Sequence, residues 1–237
     1  MRLMELYEML LDTYGPRGWW PLISLTGKGG RDERGYLPGS PAPSDRNAAF
    51  EVAVGAVLTQ NTAWTGAERA VKRLFEADLL TPRAILSSRP ENLADLVRPA
   101  GCFHVKTRKL IELADFFESL QREGPGYRPP DRKRLLSVWG IGPETADSIL
   151  LYAFGIPSFV IDEYSRRIFR RLGMEVPLDS YDALKSTLER VIPASRNIYS
   201  EYHALLVEHA KTVCKALPLC DACTVRKVCG YRMSTLW

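Results

Sequence analysis

The chain has 237 residues, 46% of them apolar and 25% charged, proportions of an ordinary globular protein with a sizeable core in one large domain or two small ones. No apolar run approaches the length of a membrane span. Lys and Arg number 32 against 28 Asp and Glu, so the net charge of +4 is only a mild hint of an anionic partner, and the placement of the basic residues has to carry more than their number.

The periodicity predicts helices almost throughout. The first runs from about Arg2 to Tyr14 and stops at Gly15-Pro16. Gly18-Trp19-Trp20-Pro21 follows, then a Gly/Pro-rich connection from Gly27 to Pro43. Its Gly27-Lys28-Gly29-Gly30 lacks the spacing and the terminal Lys-Ser/Thr of a P-loop. Ser44-Asp45 can cap a strongly apolar helix from Ala48 to Asn61, suited to the middle of a core. Further helices are expected at 64–77, 82–87, 90–97, 106–121, 131–138, 143–154, 162–172, 180–191 and 198–216. No segment sustains the two-residue alternation of a strand, so the expected fold class is all-α.

Within 135–147, Gly140 and Gly142 bracket Ile141 between two helices, and Pro143 suits the first position of the second. Such a turn can present amide N–H groups and a helix dipole to a phosphate, reading backbone and not base sequence; it can equally be a plain Gly-containing helix–helix turn. About twenty residues later, Phe159-Val160-Ile161-Asp162 delivers one carboxylate to a helix start. There Asp162 can be a simple N-cap, and the helix dipole also favours its ionised form.

Four of the five cysteines lie within sixteen residues, Cys214, Cys220, Cys223 and Cys229, spaced C-x5-C-x2-C-x5-C. Nothing at the N-terminus reads as a signal peptide, which disfavours disulfides. Zinc ribbons usually pair two C-x2-C knuckles; a single close pair with outer cysteines on either side favours a [4Fe–4S] cluster over zinc. Cys102 stands alone and reads as a small buried apolar residue.

Together, the helix–Gly-Ile-Gly–helix unit, Phe-Val-Ile-Asp and the four-cysteine loop, in that order, resemble the endonuclease III superfamily of DNA glycosylases, over roughly 44–230. The resemblance implies a six-helix barrel domain with a helix-hairpin-helix, a helical [4Fe–4S] domain, and DNA bound across the cleft between them. On this basis 1–43 is an N-terminal helix and linker packing on the iron–sulphur domain, 44–156 the barrel and 157–237 the cluster domain. The first cysteine gap is one residue shorter than the family commonly has.

At the second position after the hairpin's last glycine, bifunctional members carry the lysine that attacks the sugar; this chain has Glu144, which cannot form a Schiff base. Glu144 can also be a solvated helix residue. Asp162 is left to stabilise the oxocarbenium-like sugar and to orient or deprotonate water. Gly-Trp-Trp-Pro, Thr-Gln-Asn-Thr, Glu144 and the Asp-Glu-Tyr-Ser after Phe-Val-Ile most resemble the 3-methyladenine DNA glycosylase III type. That type implies a base pocket of Trp19, Trp20 and Trp64, where aromatic faces hold a cationic base. Lys211 belongs to this pocket or to the surface. Gln60 resembles the side chain pushed into the gap left by a flipped nucleotide. The segment 101–106, with Phe103 and Lys106, resembles the loop that probes the opposite strand. Arg108 and Lys109 then join Lys106 along the DNA backbone, while Gly140, Ile141 and Gly142 make the hairpin contact.

The expectation is a monofunctional glycosylase that hydrolyses alkylated bases from duplex DNA, working as a monomer away from membranes, in the cytoplasm and on the nucleoid if the source is prokaryotic. Two alternatives stay open: a glycosylase for oxidised pyrimidines or mismatched bases, and a non-catalytic damage-binding iron–sulphur protein.

Overall fold

The computed structural model describes residues 2–20, 22–26, 43, 45–122 and 129–234. The expected connection at 27–43 lies outside the described residues apart from residue 43, as do Pro21 and Ser44. Among the described residues the chain is all-α, with no strand. No helix among them is long and apolar enough to cross a membrane. They form two compact units, one of residues 2–19 and 157–234, the other of 20, 22–26, 43, 45–122 and 129–156.

Helix α1 (Leu3–Tyr14) begins the first unit, with the Arg2 N–H donating to Glu5 Oε2 at 2.8 Å. Leu3, Leu6 and Leu10 repeat at helical spacing and are buried, and Gly15, at φ +69°, ends the helix.

The second unit starts with the short α2 (Ile23–Thr26) and is centred on α3 (Arg46–Leu58). Asp45 caps α3 by accepting the Ala48 N–H at 2.9 Å. Every residue from Ala49 to Leu58 is buried, and all but Glu51 are apolar or glycine, so α3 turns no solvated face outward over this stretch, as a central helix must not. Around it stand α4 (Trp64–Glu76), α5 (Pro82–Ser87), α6 (Pro90–Val97), α7 (Phe103–Arg122), α8 (Arg132–Leu136) and α9 (Pro143–Ser148). Proline at the first turn starts α5, α6 and α9. Buried Asp147 of α9 pairs with Arg132 of α8 through bonds of 2.9 and 3.1 Å, which sets the two hairpin helices against each other.

Two expectations shift here. Helix α7 begins at Phe103, so 103–106 is its first turn and not loop. The helix expected over 143–154 becomes α9 followed by a π turn, Ile149–Ala153, a wider winding that often marks a functional position.

In the first unit, α10 (Glu163–Leu172) ends at left-handed Gly173; α11 (Tyr181–Val191), α12 (Arg196–Thr212) and α13 (Gly230–Ser234) complete it. Helix α12 packs on α1 and α10. It stops at Thr212 and not at the expected 216, because the N–H groups of Val213 and Cys214 both turn back onto the His209 carbonyl. Phe159 sits edge-to-face against Tyr199 and Tyr202, and Tyr202 donates its hydroxyl to the Leu3 carbonyl at 2.7 Å, tying α12 to α1.

Candidate active site

Asp162 is the N-cap of α10. Its Oδ1 accepts the N–H and the hydroxyl of Ser165, both at 2.7 Å, and its Oδ2 lies 3.5 Å from Nε2 of His203 on α12. Burial pushes this carboxyl up, but His203 and the two Ser165 donors outweigh it and hold Asp162 below the ordinary carboxylate range. The site thus keeps a largely desolvated anion, its side chain 14% exposed. Lys211, on the last turn of α12, is exposed at its surface; partial desolvation lowers its pKa, against the pull of Glu208 and Asp162.

The two adjacent tryptophans go to different units. Trp19 belongs to the first, where its ring meets His203 edge-on at 5.3 Å. Trp20 belongs to the second, where it meets Trp64 at 5.3 Å and buried Tyr152 of the π turn at 5.6 Å. Carboxylates pin the chain on both sides of the pair. Glu201 accepts the Arg17 and Gly18 N–H groups, and Glu51, buried in the middle of α3, accepts those of Ile23 and Ser24. Tyr152 carried no sequence signal, because a tyrosine in an apolar helix reads as core.

Gly55 of α3 is the seat of Trp20: a Cβ there would stand 2.7 Å from Cζ2 of the indole. An alanine in mid-helix ordinarily adds roughly 0.5–1 kcal/mol of stability. Gly55→Ala is instead expected to displace Trp20, change the tryptophan fluorescence and lower the melting temperature. A stabler protein with unchanged fluorescence would show that Gly55 is not the seat of Trp20.

In the hairpin, Gly140 has φ +85°, and a Cβ on it would collide with the stem of Lys109. The Ile141 side chain is 6% exposed, and its N–H goes to the Val138 carbonyl at 3.1 Å. Ile141 is therefore a buried plug of the turn, which corrects its expected role as a contact residue; the glycines flank it. Gln60 is also corrected. Its Nε2 donates to the Gly140 carbonyl at 3.1 Å and to the Thr145 hydroxyl at 2.9 Å, and its Oε1 accepts from Lys109 Nζ. It is a strut between the hairpin and α7. The neighbour that projects is Asn61, exposed and held at φ +51°, a conformation that asparagine tolerates.

Lys106 does not flank a DNA backbone either. It is 3% exposed, and its Nζ donates to the carbonyls of Leu58 and Ala100 and to the Thr62 hydroxyl at 2.6–2.8 Å. The ammonium closes the C-terminal end of α3, and desolvation lowers its pKa. Phe103 is half-buried beneath the Arg98 guanidinium, 4.3 Å from its ring centroid, and Cys102, expected to be buried, is exposed at φ +44°. Arg108 stacks on Trp139 at 3.9 Å, and this indole is 42% exposed in the hairpin turn. An aromatic between helices and next to Gly140 was the available signal for Trp139. Glu144 is exposed in the first turn of α9.

All four C-terminal cysteines are free thiols and line one cavity, with Ile168, Leu172, Val213 and Val225. Arg171 donates to Cys214 Sγ at 3.4 Å, and His209 Nε2 stands 3.7 Å from Cys223 Sγ. No group of three or more His, Cys, Asp or Glu among the described residues is arranged to hold a metal ion. Four thiols spread around one apolar cavity suit a larger body with one iron per thiolate better than a single ion. The loop has little core of its own, for Leu217 is 86% and Leu219 50% exposed. The donor set therefore fits a [4Fe–4S] cluster.

Residues 54–194 match the family described as HhH-GPD superfamily base excision DNA repair protein. A protein of Methanocaldococcus jannaschii described as a DNA repair glycosylase is 37% identical over 233 residues, 96% of this chain and 95% of the relative. Among solved structures, a non-covalent endonuclease III–DNA complex superposes with a TM-score of 0.75 at 21% identity, covering 99% of this chain and 96% of that one. The Helicobacter pylori 3-methyladenine DNA glycosylase bound to 1,N6-ethenoadenine gives 0.63 at 26% identity, over 89% and 98%.

Proposed function

The chain belongs to the HhH-GPD superfamily of base excision DNA repair proteins and is a DNA glycosylase of the endonuclease III-like fold, and from that premise we propose that it removes alkylated bases from duplex DNA by hydrolysis, leaving an abasic site. The observation that carries this reading is a desolvated, ionised Asp162 combined with Glu144 where a Schiff-base lysine would stand. Asp162 stabilises positive charge on the sugar as the base departs and takes a proton from the attacking water. A purine methylated at N3 or N7 already carries positive charge, so its departure needs little acid assistance, and no lysine is required.

Trp19, Trp20 and Trp64 offer aromatic surface to a flipped cationic base, each face contributing roughly 0.5–2 kcal/mol when desolvated. Asn61, and not Gln60, is the side chain presented toward the gap, while Gly140, Gly142, Arg108 and Trp139 meet the backbone. Cys214, Cys220, Cys223 and Cys229 hold a [4Fe–4S] cluster, which supplies a crosslink to the C-terminal loop. The protein acts inside the cell as a monomer.

Base release from methylated duplex and from duplex carrying thymine glycol, run with and without borohydride, tests the reading. Methylpurine release without a trapped covalent adduct is expected, and Trp20→Ala should reduce that release markedly with little change in binding to undamaged duplex. Thymine glycol release with no methylpurine release would overturn the substrate assignment, and robust trapping would overturn simple hydrolysis.

A further inference from the structure

Asp162 is held from two sides by partners of different kinds. Ser165 lies three residues away and makes the ordinary N-cap bonds to Oδ1. His203 lies forty-one positions further along, on another helix, and approaches the opposite oxygen. The imidazole is 6% exposed, and Trp19 closes on its ring at 5.3 Å, nearly perpendicular at 85°. A helix cap needs only the Ser165 bonds. A buried histidine placed on the second oxygen, with an indole against it, is more than capping requires.

We propose that His203 is the positioning residue of Asp162: its Nε2 fixes the direction of Oδ2, the carboxylate oxygen that the helix cap does not use, relative to the reacting sugar, while Trp19 keeps the imidazole in place. This rests on the reading of Asp162 as the carboxylate of base release. At 3.5 Å the imidazolium acts on Oδ2 as an opposite charge, and the neutral imidazole with its proton on Nε2 acts as an N–H dipole. Each lowers the cost of a buried negative charge, which burial alone would drive toward the protonated acid. Lys211 of α12 interacts with Asp162 across this corner and is itself drawn by Glu208 of the same helix; Ser165 on α10 adds an uncharged donor, and Trp19 no charge. None of these is altered in the test.

The sign follows from Asp162 being held low. A carboxylate with a lowered pKa stays ionised, and active, until the pH falls through that lowered value; removing His203 raises the value and brings the acid limb into the working range. His203→Gln can place an amide nitrogen near the position of Nε2, whereas His203→Asn is too short to do so. Single-turnover release from methylated duplex is measured from pH 5.5 to 7.5 for wild type and both variants, corrected for spontaneous loss, with duplex affinity and thermal melting alongside.

Wild type and His203→Gln should be nearly flat. His203→Asn should lose about tenfold between pH 7.5 and 5.5, with unchanged duplex affinity. A merely structural role would lower the rate by one factor at every pH. Flat profiles for both variants would overturn the inference, as would an acid limb shared equally by Asn and Gln. Asp162→Asn separates the two levels. If it is inactive while the His203 variants stay flat, only the positioning role falls; if it is active, the reading of Asp162 falls with it.

Discussion

Asp162→Asn is expected to cost roughly 10²–10⁴-fold in the rate of base release while leaving affinity for duplex DNA within a few-fold of wild type. The substitution separates two roles. Asparagine is as good an N-cap as aspartate, and its amide oxygen can keep accepting from Ser165, so α10 should stay in place and the melting temperature should change little. What disappears is the negative charge, which the surroundings hold ionised against the cost of burial. Single-turnover release and a binding isotherm on the same lesion-bearing duplex decide it. A variant that turns over normally would return Asp162 to the status of a helix cap and would favour a site built elsewhere.

Replacing Cys220 or Cys223 by alanine should strip the protein of iron and loosen the loop from 214 to 229. The reason is the poverty of its core. Leu217, Leu219 and Val228 are exposed, and within the loop only Val225 and Cys229 are buried. With the proposed cluster bound, ligation would do what packing cannot, and the binding free energy of the metal centre would become folding free energy of the loop, on the order of several kcal/mol. The wild-type protein should be yellow-brown with about four irons per chain, and limited proteolysis of the variants should cut first within the loop. One zinc per chain with no iron would overturn the cluster.

How much of the site was legible follows from how local each signal is. The cysteine spacing, the Gly-Ile-Gly turn and the carboxylate at a helix start are patterns of a few residues, and their chemistry can be stated before any packing is known. The basic residues were less legible. Lys106 looked like one more cation on a helix with Arg108 and Lys109, yet it is buried among carbonyls, because the end of α3 leaves acceptors inside the core that only a long cationic side chain reaches. Lys109 is tied to Gln60, and Arg108 to Trp139. Three neighbouring cations thus have three different partners, none of them recognisable from spacing.

By itself, the order of residues determined the helical class, through apolar periodicity and proline and glycine punctuation, and the chemistry on offer, through four thiols, the capping Asp162 and a glutamate in place of a lysine. Tertiary structure alone decided which side chains stay available. It turned Gln60 inward and left Asn61 projecting, sent Trp19 and Trp20 to different units, seated Trp20 on Gly55, and brought His203 to Asp162 across forty-one residues. The physical reason is common to all of these. Periodicity and capping act over one or two helical turns, whereas the partner of a buried polar group or an indole is set by which helices pack together, and no short window of sequence records that.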